Sequence, residues 1–440
     1  MASISLFGDA LRRAFLVRAF LMRVFLVRVF LVRVFLAIAW IALPLVAHAQ
    51  EPAHFVGTWT TGLTAMRHDH LTPQLDQSIL VQTVRVSTGG DFARLKLSNL
   101  FGESELIITS ATLSRLSTDD INATTAATQL KPVTFDRSDG ITIPAGGTAM
   151  SDPLLFPFAA GADVVITLHI KKAPRLLTGH DSSHAPAVSF HRPARTEAED
   201  APFSRVNRWY FISGIDTAPL TAPAHYRPRA VVAFGDSITD GAGVPPSTHL
   251  RWSDELSRRL RAHADTANVG VLNVGIGGNR ILRPGRGPSA LERFERDVLQ
   301  QTGVRCVILL IGVNDLGQAA NARAAGEAYP TAAELIAGYE QMIARARAAG
   351  IKVYASPILP YKGAFYWSPE GEADRKIINA WIRESGAFDA VIDFDAAMRD
   401  PVDPDYLAEQ YDLGDFLHPS PVGLTAMGRA IDLALFAEEE

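Results

Sequence analysis

The chain has 440 residues, 48% of them hydrophobic and 20% charged, with a formal net charge of −5. That length suits about two folded domains plus a targeting segment, and the composition is that of a globular protein rather than a disordered or collagenous one. The absence of a basic excess or patch excludes nucleic acid as the main partner, and a single cysteine, Cys306, excludes an intrachain disulfide framework and disfavours a Cys-based zinc site.

Residues 1–49 read as an export signal. Arg18, Arg23, Arg28 and Arg33 recur every five residues, an advance of ~140° per step on a helix, so they build no polar face. The thirteen apolar residues Val34–Val46 follow, then Ala47-His48-Ala49. A basic region, a short apolar core and an Ala-x-Ala site compose a secretory signal cleaved after Ala49, which makes the mature protein secreted or periplasmic. The apolar core falls short of the ~20 residues that span a bilayer. No stable membrane insertion is expected after cleavage, with an uncleaved anchor as the alternative. Removing this segment, which holds six Arg and one Asp, takes 42 bases and 47 acids to 36 and 46, a net charge of −10.

Residues 50–228 read as strands and turns. Ile79–Ser87, Phe92–Asn99, Leu106–Ser114 and Asp163–Ile170 alternate or run β-branched, separated by clusters such as "STGGD" and "IPAGG". Many short strands without a helical pattern predict an all-β sandwich or jelly-roll domain. Thr178–Pro202, rich in His, Pro, Ser and acids, reads as a long loop.

Residues 229–440 change pattern. Apolar strands are predicted at Ala230–Phe234, Val271–Val274, Cys306–Gly312, Lys352–Ile358 and Ala390–Phe394. Helical patterns lie at Ser253–Ala262, Ser289–Gln300, Thr331–Ala349, Glu370–Ser385 and Pro421–Ala437. This alternation predicts an α/β fold, a parallel sheet with helices on both faces. Cys306, inside such a strand, is expected to be a buried hydrophobe. Ligands of such sheets bind beyond the carboxyl ends of the strands. Ser237 follows the first predicted strand, Gly278 and Asn279 the second, Asn314 and Asp315 the third.

These positions offer the parts of an ester hydrolase: a nucleophile, a base, a group that orients the base, and oxyanion donors. Ser237 in "GDS" is the candidate nucleophile. His418 in "DFLH" is the candidate base, with Asp415 three residues earlier able to hold its tautomer. Asn314 offers a side-chain N–H, and Gly278 a backbone N–H unhindered by a Cβ. Each has a plain structural alternative: Ser237 as a helix N-cap, His418 as a surface or capping histidine, "GIGGN" and Asn314-Asp315 as turns. Their joint placement at consecutive strand ends favours the chemical reading.

The set "GDS" (Gly235–Ser237), "GIGGN" (Gly275–Asn279), "GVND" (Gly312–Asp315) and "DFLH" (Asp415–His418) resembles the four sequence blocks of the SGNH, or GDSL-type, hydrolases. The resemblance spans nearly all of residues 229–437. It implies a flavodoxin-like five-stranded parallel sheet and a two-step acyl transfer without cofactor or metal. Ser237 would be nucleophile, His418 general base and acid, and Asp415 its orienting group. The N–H groups of Ser237 and Gly278 and the Asn314 side chain would hold the oxyanion. The motif reads Gly-Asp-Ser-Ile here rather than Gly-Asp-Ser-Leu. Residues 51–228 are similar, through phrases such as "LSNLFG" and "GTAMSDP", to the β-rich N-terminal part of secreted esterases found beside xylan-degrading enzymes.

Asp236, Asp240, Trp252, Asn279 and Arg280, with Asp254, lie near the blocks and are candidates to line the pocket, with packing or capping as the alternative for each. The Gly-x-Ser-x-Gly elbow of the other large serine-esterase class is absent around Ser237, and "GIGGN" does not complete a Gly-x-Gly-x-x-Gly fingerprint. "RHDH" (Arg67–His70) and the group His180, His184 and His191 are weak metal-site candidates. The expected function is a secreted ester hydrolase that deacetylates a carbohydrate or polysaccharide. A lipid- or aryl-ester hydrolase is the alternative, and a non-enzymatic carbohydrate-binding protein the remaining one.

Overall fold

The first strand of the β-rich half, Val56–Thr60, runs beside an edge strand of the α/β half, and much of the architecture follows from that contact. The structure is a computed structural model. It describes residue 22 and residues 54–66, 75–116, 127–184, 189–193, 204–222, 226–326 and 329–437. The expected export segment, apart from Met22, lies outside the described residues. Among the described residues no helix is long and apolar enough to cross a membrane.

The N-terminal half is built from antiparallel sheets. One orders its strands Val56–Thr60, Ile212–Ala218, Gly90–Ser98 and Thr148–Met150, with Leu154–Phe158 also on Gly90–Ser98. A second runs Ser204–Val206, Ser189–Pro193, Ser78–Arg85, Asp163–Lys172, Leu106–Leu116 and Ala127–Val133, with Ile141–Ile143 also on Leu106–Leu116. Alternating residues of both, such as Leu95 and Leu97 from one and Val84, Ile166 and Leu168 from the other, meet in a single hydrophobic core. The phrase "LSNLFG" serves a turn: buried Asn99 donates its Nδ2 to Ser104 O at 2.8 Å and Pro144 O at 3.0 Å. In "GTAMSDP", Asp152 accepts from Thr134 Oγ1 at 2.6 Å and Arg137 N at 2.8 Å.

The expected loop over Thr178–Pro202 is a correction. It contains the strands Leu177–Asp181 and Ser189–Pro193; the first pairs with Thr64–Met66 and Arg208–Tyr210. Burial of Leu177, Thr178 and His180 outweighs the turn-forming composition.

The C-terminal half has five parallel strands, β1 (Arg229–Gly235), β2 (Val269–Asn273), β3 (Val304–Leu310), β4 (Lys352–Ala355) and β5 (Ala390–Val391), in the order β2-β1-β3-β4-β5. Successive residues of β1 and β3 are buried, Cys306 included, so both sheet faces are covered. The helices are α1 (Ser237–Asp240), α2 (Trp252–Arg261), α3 (Ala290–Phe294), α4 (Val313–Ala324), α5 (Ala332–Ala348), α6 (Pro369–Glu384), α7 (Phe394–Met398) and α8 (Pro421–Ala430). Ser289, Thr331, Ser368 and Ser420 cap α3, α5, α6 and α8 through their hydroxyls. Several elements differ from expectation: β4 stops at Ala355 and α8 at Ala430. Asn314-Asp315 opens α4 rather than a turn, and β5 stops at Val391 because Asp393 caps α7. Strand order reverses at β1, so the crevice that such sheets use for ligands opens beyond its carboxyl end.

Residues 52–440 form one compact unit although they hold two hydrophobic cores. Val56 belongs to the α/β core. Gly57 N donates to Thr302 O at 2.9 Å, and Val271 N to Ser87 Oγ at 2.9 Å. A Cβ on Gly270 of β2 would run into the backbone oxygen of Gly57, so the approach of the first strand to β2 requires glycine there.

Candidate active site

Ser237 is the first residue of α1, directly after β1, but it is not the helix cap. That role belongs to Asp236, whose Oδ1 accepts from Ile238 N at 3.0 Å. Asp236 is buried, and burial pushes its carboxyl up to about 7 against the opposing Ile238 hydrogen bond. Because Asp236 caps the helix, the Ser237 hydroxyl is left for another partner. Its Oγ lies 2.8 Å from His418 Nε2.

His418 comes from a tight turn before α8. Asp412 and Pro419 bridge across that turn, Leu413 N donates to His418 O at 2.9 Å, and Phe416 takes a left-handed φ of 59°. Asp415 uses both oxygens: Oδ1 accepts from His418 N at 2.8 Å and Leu417 N at 3.0 Å, Oδ2 from His418 Nδ1 at 2.6 Å. The three-residue spacing thus closes a loop, not a helical turn. Burial raises the Asp415 pKa, but the bonds from His418 outweigh it and hold the carboxyl below its ordinary value. With Nδ1–H donating to Asp415, Nε2 is free to accept the Ser237 hydroxyl proton.

The other two blocks meet each other. Gly278 has φ 71°, a backbone that glycine adopts without strain. Asn314, in the first turn of α4, donates its Nδ2 to Asn279 O at 3.2 Å and accepts from Tyr366 OH at 3.4 Å. Asp315 receives Ile281 N at 2.9 Å, and burial pushes its carboxyl up to about 7.

A residue not singled out from the sequence fastens this assembly. Arg293 on α3 is 1% exposed. It donates to Gly235 O at 2.8 Å, Val274 O at 2.7 Å and Asn279 Oδ1 at 3.0 Å, and pairs with Asp297 at 2.9 Å. Its guanidinium lies 4.0 Å from the Phe234 ring centroid. It therefore ties the end of β1, just before Ser237, to the turn that carries Gly278.

A cavity of about 260 Å³ opens at Ser237, walled by Asp240, Gly277 and Arg286 from the α/β half and by Thr64, His180 and Ser182 from the β half. His180 is buried, its Nδ1 2.7 Å from Gly62 O and its Nε2 2.9 Å from Asp240 Oδ1. Both ring nitrogens face acceptors, which only an imidazolium satisfies. Burial works against that charge, yet Asp240 outweighs it and raises the His180 pKa.

Of the residues named as pocket candidates, Asp240 lines this cavity; Asp236, Trp252, Asn279 and Arg280 do not. Trp252 is buried against Phe394, with ring centroids 5.5 Å apart. Asn279 is buried and donates to Pro288 O at 2.7 Å, and the Arg280 guanidinium donates to Pro284 O. Asp254 lines a different cavity. Thr64, Arg286 and Arg293 were missed, and His180 was weighed only as a metal ligand. His184 binds Val244 O at 3.0 Å. Among the described residues no group of three or more His, Cys, Asp or Glu could hold a metal ion; Arg67–His70 and the His191 side chain lie outside them.

Residues 233–426 match the model of the GDSL-like Lipase/Acylhydrolase family. Among solved structures, the chain is similar to an acetylxylan esterase from Geobacillus stearothermophilus, at 20% identity and a TM-score of 0.37, over 48% of this chain and 95% of that one. It is also similar to a GDSL-like lipase from Bacteroides thetaiotaomicron, at 22% identity and a TM-score of 0.35, over 49% of this chain and 91% of that one. No curated protein matches the chain.

Proposed function

We propose that this chain, a carboxylic ester hydrolase by its family match, works through a Ser237–His418–Asp415 triad on short acyl esters of a carbohydrate. The observation that carries the reading is the unbroken relay from Ser237 Oγ through both His418 nitrogens to Asp415, with contacts of 2.8 and 2.6 Å.

Ser237 Oγ attacks the ester carbonyl as its proton passes to His418 Nε2, and Asp415 stabilises the imidazolium. The oxyanion is received by the N–H groups of Ser237 and Gly278 and by Asn314 Nδ2. One Nδ2 hydrogen of Asn314 is held by Asn279 O, and the other remains for substrate. His418 returns its proton to the leaving alcohol. Water, activated by the same imidazole, then releases the acid and restores Ser237.

Substrate class is argued from the cavity. Among the described residues that line it, only Ala242 and Ile276 carry apolar side chains, which favours a short acyl group. Polar side chains from both halves line it, and Phe416 in the His418 turn is 45% exposed. In this reading the β half shapes the cleft, and the chain is exported through residues 1–49. Rates on acetate and octanoate esters of one alcohol, followed by acetyl release from an acetylated polysaccharide, test it. Acetate preference with acetyl release supports the carbohydrate reading; octanoate preference replaces it with a lipid- or aryl-ester hydrolase.

A further inference from the structure

A second cavity, of about 420 Å³, lies between the β half and α2 and does not include Ser237. Five arginines line it, Arg85, Arg251, Arg258, Arg261 and Arg429, against two acids, Asp254 and Glu255. Trp59 and Trp209, at 5.0 Å and edge to face, form part of its wall.

The local pairings leave an excess of positive charge. Glu255 is used by Arg258 at 2.5 Å and Arg429 at 3.2 Å, and Arg85 is clamped by Asp163 at 2.6 and 2.9 Å. Arg251 and Arg261 remain, at the two ends of α2. The Arg251 guanidinium donates to Ser183 O at 3.1 Å and has no ion pair among the described residues. Arg261 is half-buried against Gly161 and has neither hydrogen bond nor ion pair among the described residues. Asp254 is the acid between them, and its Oδ2 already accepts Arg251 N at 3.1 Å.

His249 faces the same space. Its Nε2 is buried without a hydrogen-bond partner, 4.0 Å from the Asp163 carboxylate, and its backbone has a left-handed φ of 50°. Burial and the charges of Arg85, Arg251 and Arg261 push its pKa down to about 3, so it stays neutral. Asp254 sets one negative charge against both guanidinium groups, which leaves a net positive charge; partly desolvated excess charge is costly, and an unsatisfied imidazole nitrogen adds to the cost.

We infer that this cavity binds a small ligand through a carboxylate or phosphate group received by Arg251 and Arg261, with His249 as a further polar contact. The fork geometry of guanidinium suits either oxyanion. The tryptophan wall leaves room for a ring, as in a carboxylated sugar; a free phosphate would fill only the cationic end. The site is separate from the triad and does not depend on its chemistry.

Calorimetric titration of the full chain with glucuronate, inorganic phosphate and glucose, in a non-phosphate buffer, tests the inference. Saturable binding of an anion, no comparable binding of glucose, and weakening by added chloride are expected. Arg261→Ala should weaken binding by about tenfold or more, Arg261→Lys by less, with hydrolysis of a model acetate ester unchanged. Glucuronate bound more tightly than phosphate identifies a carboxylated sugar; the reverse identifies a phosphate. If Arg261→Ala does not fold, Arg261→Gln carries the same comparison. The inference is overturned if neither anion binds saturably, or if binding is indifferent to both the Arg261 variants and salt.

Discussion

His180 on the strand Leu177–Asp181 meets Asp240, the last residue of the helix that Ser237 begins, at 2.9 Å. One half of the molecule thereby fixes an element of the other, three residues from Ser237.

That contact has a pH signature. Because Asp240 raises the His180 pKa against the opposing effect of burial, the charged contact stabilises the fold fully below the ordinary value of 6.5. The contribution is lost as pH rises through the raised value. His180→Gln removes it. Denaturation of both proteins across pH should show a stability gap that is widest below pH 6.5 and closes at higher pH. A gap independent of pH would contradict the imidazolium assignment.

Asp236 gives a pH dependence of the same sign over a lower interval. The unfolded chain releases this proton near 3.8, whereas the folded chain keeps it to about 7, so stability falls as pH rises between those values. Asp236→Asn retains an acceptor for Ile238 N and should flatten that fall, measured by urea midpoints across the interval. An unchanged slope would show that Asp236 is ionised in the folded protein.

Arg293 should matter more than its distance from the substrate suggests. Arg293→Met leaves Asp297 to Arg296 alone and takes the buried donor from Gly235 O, Val274 O and Asn279 Oδ1. With three buried acceptors unsatisfied, a loss of about 3–5 kcal/mol in unfolding free energy is expected. If the variant remains folded, its kcat should fall further than its substrate affinity, since Gly235 and the turn that carries Gly278 are then untied. A loss below about 1 kcal/mol would mean that neighbours take over those bonds.

Asn314 supplies a test of the oxyanion assignment. Asn314→Ala should lower kcat by ~100-fold or more with KM little changed, because the amide would act on charge that develops only in the transition state. An effect confined to KM would make Asn314 a binding residue instead.

The α/β half was legible because its strands are continuous apolar runs and because Ser237, Gly278 and Asn314 follow three of them in turn. Asp415 and His418 were legible through their spacing, although the loop that joins them was not: Phe416 at φ 59° carries no glycine signal. The cap is Asp236 and not Ser237, for which capping was the structural alternative; Asp and Ser are both good caps and stand side by side. Helix α4 was hidden by Asn314-Asp315, a pair typical of turns, which here opens the helix and serves the site. His180 and Arg293 escaped notice for a shared reason. Their partners, Asp240 and Gly62 for one and Gly235, Val274 and Asn279 for the other, are brought to them by tertiary packing. The strand around His180 likewise exists because both its neighbours cover it, which no local propensity records.

The central claim is that Ser237 Oγ is the nucleophile, and hydrolysis of a model acetate ester by Ser237→Ala tests it most directly. Alanine is compatible with the first helical position, and Asp236 still caps α1, so the variant should melt like the parent protein. A rate at least ~1,000-fold lower, close to the uncatalysed background, is expected. Turnover near that of the parent, in a folded variant, would contradict it.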